Sequence, residues 1–186
     1  MATPDLNEVI VTAESLPLGA LAARVVCPTA GAIATFIGTT RDNFEGKAVL
    51  RLEYEAYQPM AERQMLAIIQ RARAQWELRH VAISHRVGVV PTTESSVEIA
   101  VSSAHRKEAL AAVHFLIDEL KAQVPIWKKE IYAGEAACWK ENKESSAPVI
   151  GQQQQRAADT NKMLAAAAAG AAALVLSAFL AVRARR

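Results

Sequence analysis

Along residues 1–148 the hydrophobic positions switch between a repeat of two and a repeat near 3.6, which predicts strands alternating with helices. In 48–57, Leu50, Leu52, Tyr54 and Ala56 fall on one face and Arg51, Glu53 and Glu55 on the other, the signature of a half-buried strand. Residues 9–13, 31–39, 79–86, 96–103 and 126–132 predict further strands, with Val97, Ile99 and Val101 sharing one face. In 60–76, Ala61, Met65, Ile68 or Ile69, Ala72 and Trp76 line one helical stripe. A second long helix is predicted over 104–122, with Leu110, Val113, Ile117 and Leu120 inward, His114 packed among them and Ser103 as N-cap. Pro125 stops it, because the residue before proline avoids the helical region. A short helix over 17–25 would start at Pro17. Strands on short connections with interspersed helices predict an α+β fold, a mainly antiparallel sheet with packed helices.

The last part of the chain has another character. Residues 164–182 run for 19 residues without a charge. As a helix they would measure roughly 28 Å, close to the ~30 Å of a bilayer's hydrocarbon. This predicts a single C-terminal hydrophobic helix, a candidate membrane anchor over 163–186, joined by a polar linker (149–162) to a folded domain over 1–148. Ten of the 19 residues are alanine, which weakens the drive to insert, so an Ala-rich helix outside a membrane is the alternative.

Composition narrows the function classes. Apolar residues make up 52 % and charged residues 22 %, enough for a real core. The net charge is +2, but Lys162, Arg183, Arg185 and Arg186 lie in the tail; removing them from 21 basic residues leaves 17 against 19 acidic, a net of −2. Binding to nucleic acid rests on neutralising phosphates, so it is not expected of this domain. Two cysteines suit a reducing compartment. The N-terminus carries Asp5 and Glu8 and no basic-then-apolar pattern, so neither a secretory signal nor a transit peptide is expected. The histidines lack metal-ligand spacing and no Gly-rich phosphate loop occurs, so no metal or nucleotide cofactor is expected.

Three stretches depart from local rules. His105, Arg106 and Lys107 open the 104–122 helix, where cations oppose the dipole; with free helix N–H groups they suit a bound anion, or else form a solvated basic turn. Lys121 ends that helix, and Pro125 turns the chain back so that Lys128 or Lys129, but not both, returns toward it. Two close ammonium groups favour a neutral lysine able to act as base or nucleophile; a lysine-rich surface turn is the alternative. Arg41 follows a buried strand in Gly38–Asn43 and is either a second anion contact or a loop arginine. His85 and Arg86, at a strand end, suit a structural or interface role.

Assembled, these stretches resemble the catalytic (large) subunit family of molybdopterin synthase. The residues carrying the resemblance are ATFIGTTRD, LEYEAY, ISHRVG, SVEIAVSSAHRKEAL and, most specifically, LIDELKAQVPIWKKEIY, with Trp139 and Glu141-Asn142 at the end. The resemblance covers about residues 6–143. It implies a fold of the α/β hammerhead type and a self-dimer, each copy binding a small ubiquitin-like sulfur-carrier subunit to give a heterotetramer. It implies sulfur transfer from that partner's thiocarboxylate tail onto cyclic pyranopterin monophosphate, in molybdenum cofactor biosynthesis, with no metal or nucleotide in this subunit. Position by position it makes Lys121 and Lys128 catalytic, and Arg41, His105, Arg106, Lys129 and Glu130 substrate-binding. A cytoplasmic domain, tethered by the tail, is the expected setting.

Two departures stand out. Thr93 occupies a position where the family usually has glycine, so a changed turn geometry is expected there, and the loop after Arg41 keeps the family's Asn-His only in part. The competing class is a membrane-tethered docking module for a ubiquitin-like partner, without turnover. A small phospho-ligand hydrolase is weaker, since no nucleophile–base pair is visible.

Overall fold

The computed structural model describes residues 6–133 and, for its backbone, Cys138–Lys140. The expected domain boundary at 148, the linker over 149–162 and the apolar tail over 163–186 lie outside the described residues. Among the described residues no helix is long and apolar enough to cross a membrane.

Two sheets carry the fold, where the sequence predicts one. The first has strand order β1 (Asn7–Thr12), β5 (Leu78–Arg86), β7 (Ser95–Ser103), β2 (Ala32–Thr39). The second is built on β4 (Lys47–Ala56), which pairs with β8 (Ile126–Tyr132) on one edge; on its other edge lie β3 (Asn43–Phe44) and β6 (Gly88–Pro91). β9 (Cys138–Lys140) adds to β8. The described pairings are antiparallel except β1 with β5, so the α+β reading with a mainly antiparallel sheet stands.

Helices α2 (Gln58–Gln75) and α3 (Arg106–Gln123) pack on the first sheet and against each other. Ala61, Met65, Ile68, Ile69 and Ala72 of α2 and Ala109, Ala112, Val113, Leu116, Ile117 and Leu120 of α3 meet Val81, Ile83, Val97, Ile99 and Val101 of the sheet. The short helix α1 (Ala20–Arg24) places Leu21 and Val25 with Ala82 and Ala100 in a second apolar cluster. Every residue of β7 is buried. Arg73 ties α2 to the one parallel pair: its guanidinium donates to Asn7 Oδ1 (2.7 Å) and to the carbonyls of Leu6, Leu78 and Arg79 at 2.8–3.1 Å.

Several local expectations need correction. Helix α1 begins at Ala20, not Pro17, because Gly19 is left-handed (φ 78°) and its N–H donates to buried Glu98 Oε1 (3.2 Å). Ser103 is not the N-cap of α3. It stays in β7 and donates to the carbonyl of Glu77 (2.8 Å), while His105 takes the cap position. Leu110 is 60 % exposed, since it sits about 100° around the helix from Ala109 and off the buried stripe. His114 is exposed beside Asp118 (3.5 Å), not packed. In β4 a bulge between Val49 and Arg51 shifts the register, so Val49 is buried and Leu50 points to solvent.

The chain passes from the first sheet to the second at Gly88, whose φ of 77° suits a residue without Cβ. It returns through the turn before β7, where Thr93 adopts φ 72°. Thr93 therefore takes a left-handed backbone conformation of the kind that favours glycine. A β-branched residue is strained there. Thr93→Gly should raise unfolding stability by about 0.5–1 kcal/mol, after the entropy cost of glycine; an unchanged or lower urea midpoint would refute this.

Candidate active site

Strand register places the predicted residues at two ends of the first sheet. β2 and β7 run antiparallel, with Thr39 opposite Ser95 and Ala32 opposite Ser103. Arg41 follows β2 and lies at the Ser95 end. The turn before β7 holds it there: Thr93 N–H donates to the Thr40 carbonyl (2.8 Å) and Thr40 N–H to the Glu94 carbonyl (3.1 Å). His105 follows β7 and lies at the opposite end. There Gly31 approaches so closely that a Cβ would meet the Ala104 carbonyl oxygen at 2.5 Å.

Helix α3 spans the distance between the ends. His105 and Arg106, both exposed, stand at its start, and partly buried Lys121 is in its last turn. From Arg106 to Lys121 is about 22 Å along the axis. Val124 and Pro125, both buried, turn the chain into β8, where Lys128 is the third residue. Lys128 lies opposite Tyr54 in β4. The Tyr54 ring packs edge-on against His85 (5.1 Å), and His85 pairs with Val97 near the Ser95 end of β7. Lys128 therefore belongs to the Arg41 end, as Lys121 does. Within one chain the lysines and Arg41 share one end, and His105 with Arg106 occupies the other.

At the Arg41 end the strand period sorts the side chains of β8. Lys128, Glu130 and Tyr132 share a face; Lys129 takes the other, within 3.8 Å of Glu53, which also pairs with Arg51 (2.9 Å). Glu130 is 3 % exposed, with Oε1 3.0 Å from Lys128 Nζ and Oε2 accepting from the Tyr132 hydroxyl. Lys47 Nζ stands over the Tyr132 ring (5.5 Å), and the Arg41 guanidinium over that of Phe44 (5.7 Å). Burial raises the Tyr54 hydroxyl above its ordinary value; a hydrogen bond with Ser96 works against this, and the Glu130 charge adds to it.

At the other end an open cleft of about 340 Å³ is lined by Trp76, Glu77, Ser103, His105 and Glu108. Glu108 Oε2 is buried there without a hydrogen-bond partner. Trp76 packs edge-on against Phe115 (5.5 Å). Among the described residues no group of three or more His, Cys, Asp and Glu side chains is placed to hold a metal.

Sequence reasoning missed Lys47, Tyr54 and Tyr132. The i, i+2, i+4 spacing of Lys128, Glu130 and Tyr132 in a predicted strand was the available signal for Tyr132. Lys47 and Tyr54 reach this face through the β4 bulge and the β4–β8 register, which no local pattern shows.

His85 is buried, and its Nδ1 lies 2.8 Å from the Arg86 carbonyl. A carbonyl only accepts, so Nδ1 carries the proton. Burial pushes its pKa down to about 4, and the weaker effect of the Arg86 hydrogen bond raises it. The unfolded chain thus binds a proton near pH 6.5 that the folded chain refuses until about pH 4. Stability from His85 is complete above pH 6.5 and declines toward pH 4, by up to about 3 kcal/mol. Urea unfolding between pH 7.5 and 4.5 should show this slope, and His85→Phe should flatten it; an equal slope in both proteins would contradict the assignment.

Comparison with known proteins adds a family to this geometry. The MoaE protein family pattern matches residues 11–123. The chain is 56 % identical over 148 residues to a molybdopterin synthase catalytic subunit of Bos taurus, covering 75 % of this chain and 78 % of that one. It is 53 % identical over 144 residues to molybdopterin synthase catalytic subunit 1 of Aedes aegypti, covering 76 % and 93 %. The crystal structure of molybdopterin synthase from Staphylococcus aureus superposes with a TM-score of 0.66 at 34 % identity, over 72 % of this chain and 95 % of that one.

Proposed function

The chain belongs to the MoaE family of molybdopterin synthase catalytic subunits, and on that premise we propose how its residues divide the work. The activity is that of a sulfurtransferase of molybdenum cofactor biosynthesis, acting on precursor Z, cyclic pyranopterin monophosphate. In our reading the sulfur donor is the thiocarboxylated C-terminus of a small ubiquitin-like subunit, and its tail enters at the Arg41 end. Lys121 transfers protons, and Lys128 polarises the thiocarboxylate carbonyl, where negative charge develops. Arg41 contacts the anionic part of the pterin phosphate. Lys129 lies on the other face of β8, so we assign it to the rim.

The observation that carries the rest is the length of α3. His105 and Arg106 are separated from Lys121 by about 22 Å of helix. A small substrate at the lysines of one copy meets such a pair only if a second copy supplies it. We therefore propose a self-dimer in which His105 and Arg106 of one copy complete the site of the other, and a heterotetramer once two small subunits are bound.

Reconstitution with thiocarboxylated partner and precursor Z tests this. A positioned proton-transfer group is worth ~10²–10⁴-fold, so Lys121→Ala should lose nearly all turnover. Arg106→Ala should lose substrate binding. Mixed under subunit exchange, the two variants should recover turnover that neither has alone, because a mixed dimer holds one intact site. A mixture as inactive as its components would leave only a one-chain site. Wild-type protein that binds the partner tightly yet yields no dithiolene would instead favour the docking module.

We also propose that the uncharged run in 163–186 tethers the domain to a membrane, with the catalytic part on the cytoplasmic side. Its support is the length of the run and the basic residues beside it. The full chain should float with lipid vesicles and a version ending at residue 150 should not; equal behaviour of the two would remove the tether.

A further inference from the structure

We propose that Tyr132 is a positioning residue for Lys128, acting through Glu130; the inference rests on the reading that Lys128 works in the site. Three observations carry it. Lys128, Glu130 and Tyr132 stand at i, i+2 and i+4 on one face of β8. Glu130 and Tyr132 are buried, at 3 % and 5 % exposure, whereas the Lys128 side chain is 34 % exposed and reaches the rim. The Glu130 carboxylate divides its oxygens, Oε1 at 3.0 Å from Lys128 Nζ and Oε2 on the Tyr132 hydroxyl.

A buried carboxylate is costly unless its oxygens are engaged. Here the engagement has a direction, from the interior outward. Tyr132 fixes the orientation of Glu130, and Glu130 fixes the ammonium of a side chain with four rotatable bonds. Holding that ammonium before substrate arrives removes an entropy cost from the reacting complex. The Tyr132 ring is itself held. The bulge in β4 sets Val49 directly opposite it, and Lys47 Nζ lies 5.5 Å from its centroid. Glu130 thus serves the site from beneath, through Lys128, rather than by touching the pterin.

The test uses the full chain with thiocarboxylated partner and cyclic pyranopterin monophosphate. Tyr132→Phe removes only the hydroxyl. It should slow single turnover about tenfold, the scale of one hydrogen bond to a charged group, with pterin KM and partner Kd unchanged. In a Glu130→Gln background the same substitution should have no further effect. Wild-type turnover by Tyr132→Phe, or the same loss in both backgrounds, would overturn the proposal. Side-chain 15N relaxation of Lys128 gives a readout independent of turnover. Its ammonium should be rigid in the wild type and mobile in Tyr132→Phe, and equal mobility would likewise overturn the proposal. Absence of turnover in the wild type would instead defeat the sulfurtransferase reading, so the two failures are distinct.

Discussion

The packing of α3 across β2 and β7 governs where chemistry can occur in this molecule. Leu116, Ile117 and Leu120 are each worth about 1.5–3 kcal/mol when buried, and together with the alanines they fix the helix against the sheet. Once α3 is fixed, its ends are fixed. The basic start cannot leave the Ser103 end of β7, and Lys121 cannot leave the end where Arg41 is held by Thr40 and Thr93. A single apolar stripe therefore both stabilises the fold and divides the candidate residues into two groups. That division is why a second copy of the chain enters the functional reading.

The second sheet supplies what the first cannot. Its strand β8 is short and partly exposed, yet it carries a buried carboxylate and a buried phenol below a half-exposed lysine. β4 lies beside this cluster, and its bulge corrects the alternation, bringing Val49 rather than Leu50 opposite Tyr132. The first sheet contributes through His85, neutral and buried, whose ring meets Tyr54 directly opposite Lys128. The two sheets are thus joined at the place where we expect the proton transfers to occur.

Much of this architecture could be read from the chain alone. The stripes in α2 and α3, the inward face of β7 and the stop at Pro125 follow from local periodicity and proline sterics, which act within a few residues. Several of the failures share one cause, competition from partners distant in sequence. Ser103 caps nothing because the Glu77 carbonyl claims its hydroxyl. The helix at 17–25 starts late because Glu98 binds the N–H of Gly19. β3, β6 and β9 are too short to show a period and exist only because β4 and β8 offer them an edge.

The same boundary separates what can be known of the site. The sequence by itself determined the residue types, their order and their resemblance to one enzyme family, because SSAHR and KxxxPIWKKE are contiguous words whose chemistry survives without coordinates. It determined that Lys128 and Lys129 diverge, because a strand alternates. Only the tertiary structure decided that Arg41 joins the lysines while His105 and Arg106 stand apart. Only the β4–β8 register and the bulge decided that Tyr54 lies opposite Lys128 and that Lys47 stands over Tyr132 on the face Lys128 shares. Distance along a helix and pairing between strands are properties of the folded chain, and neither is written in any local run of residues.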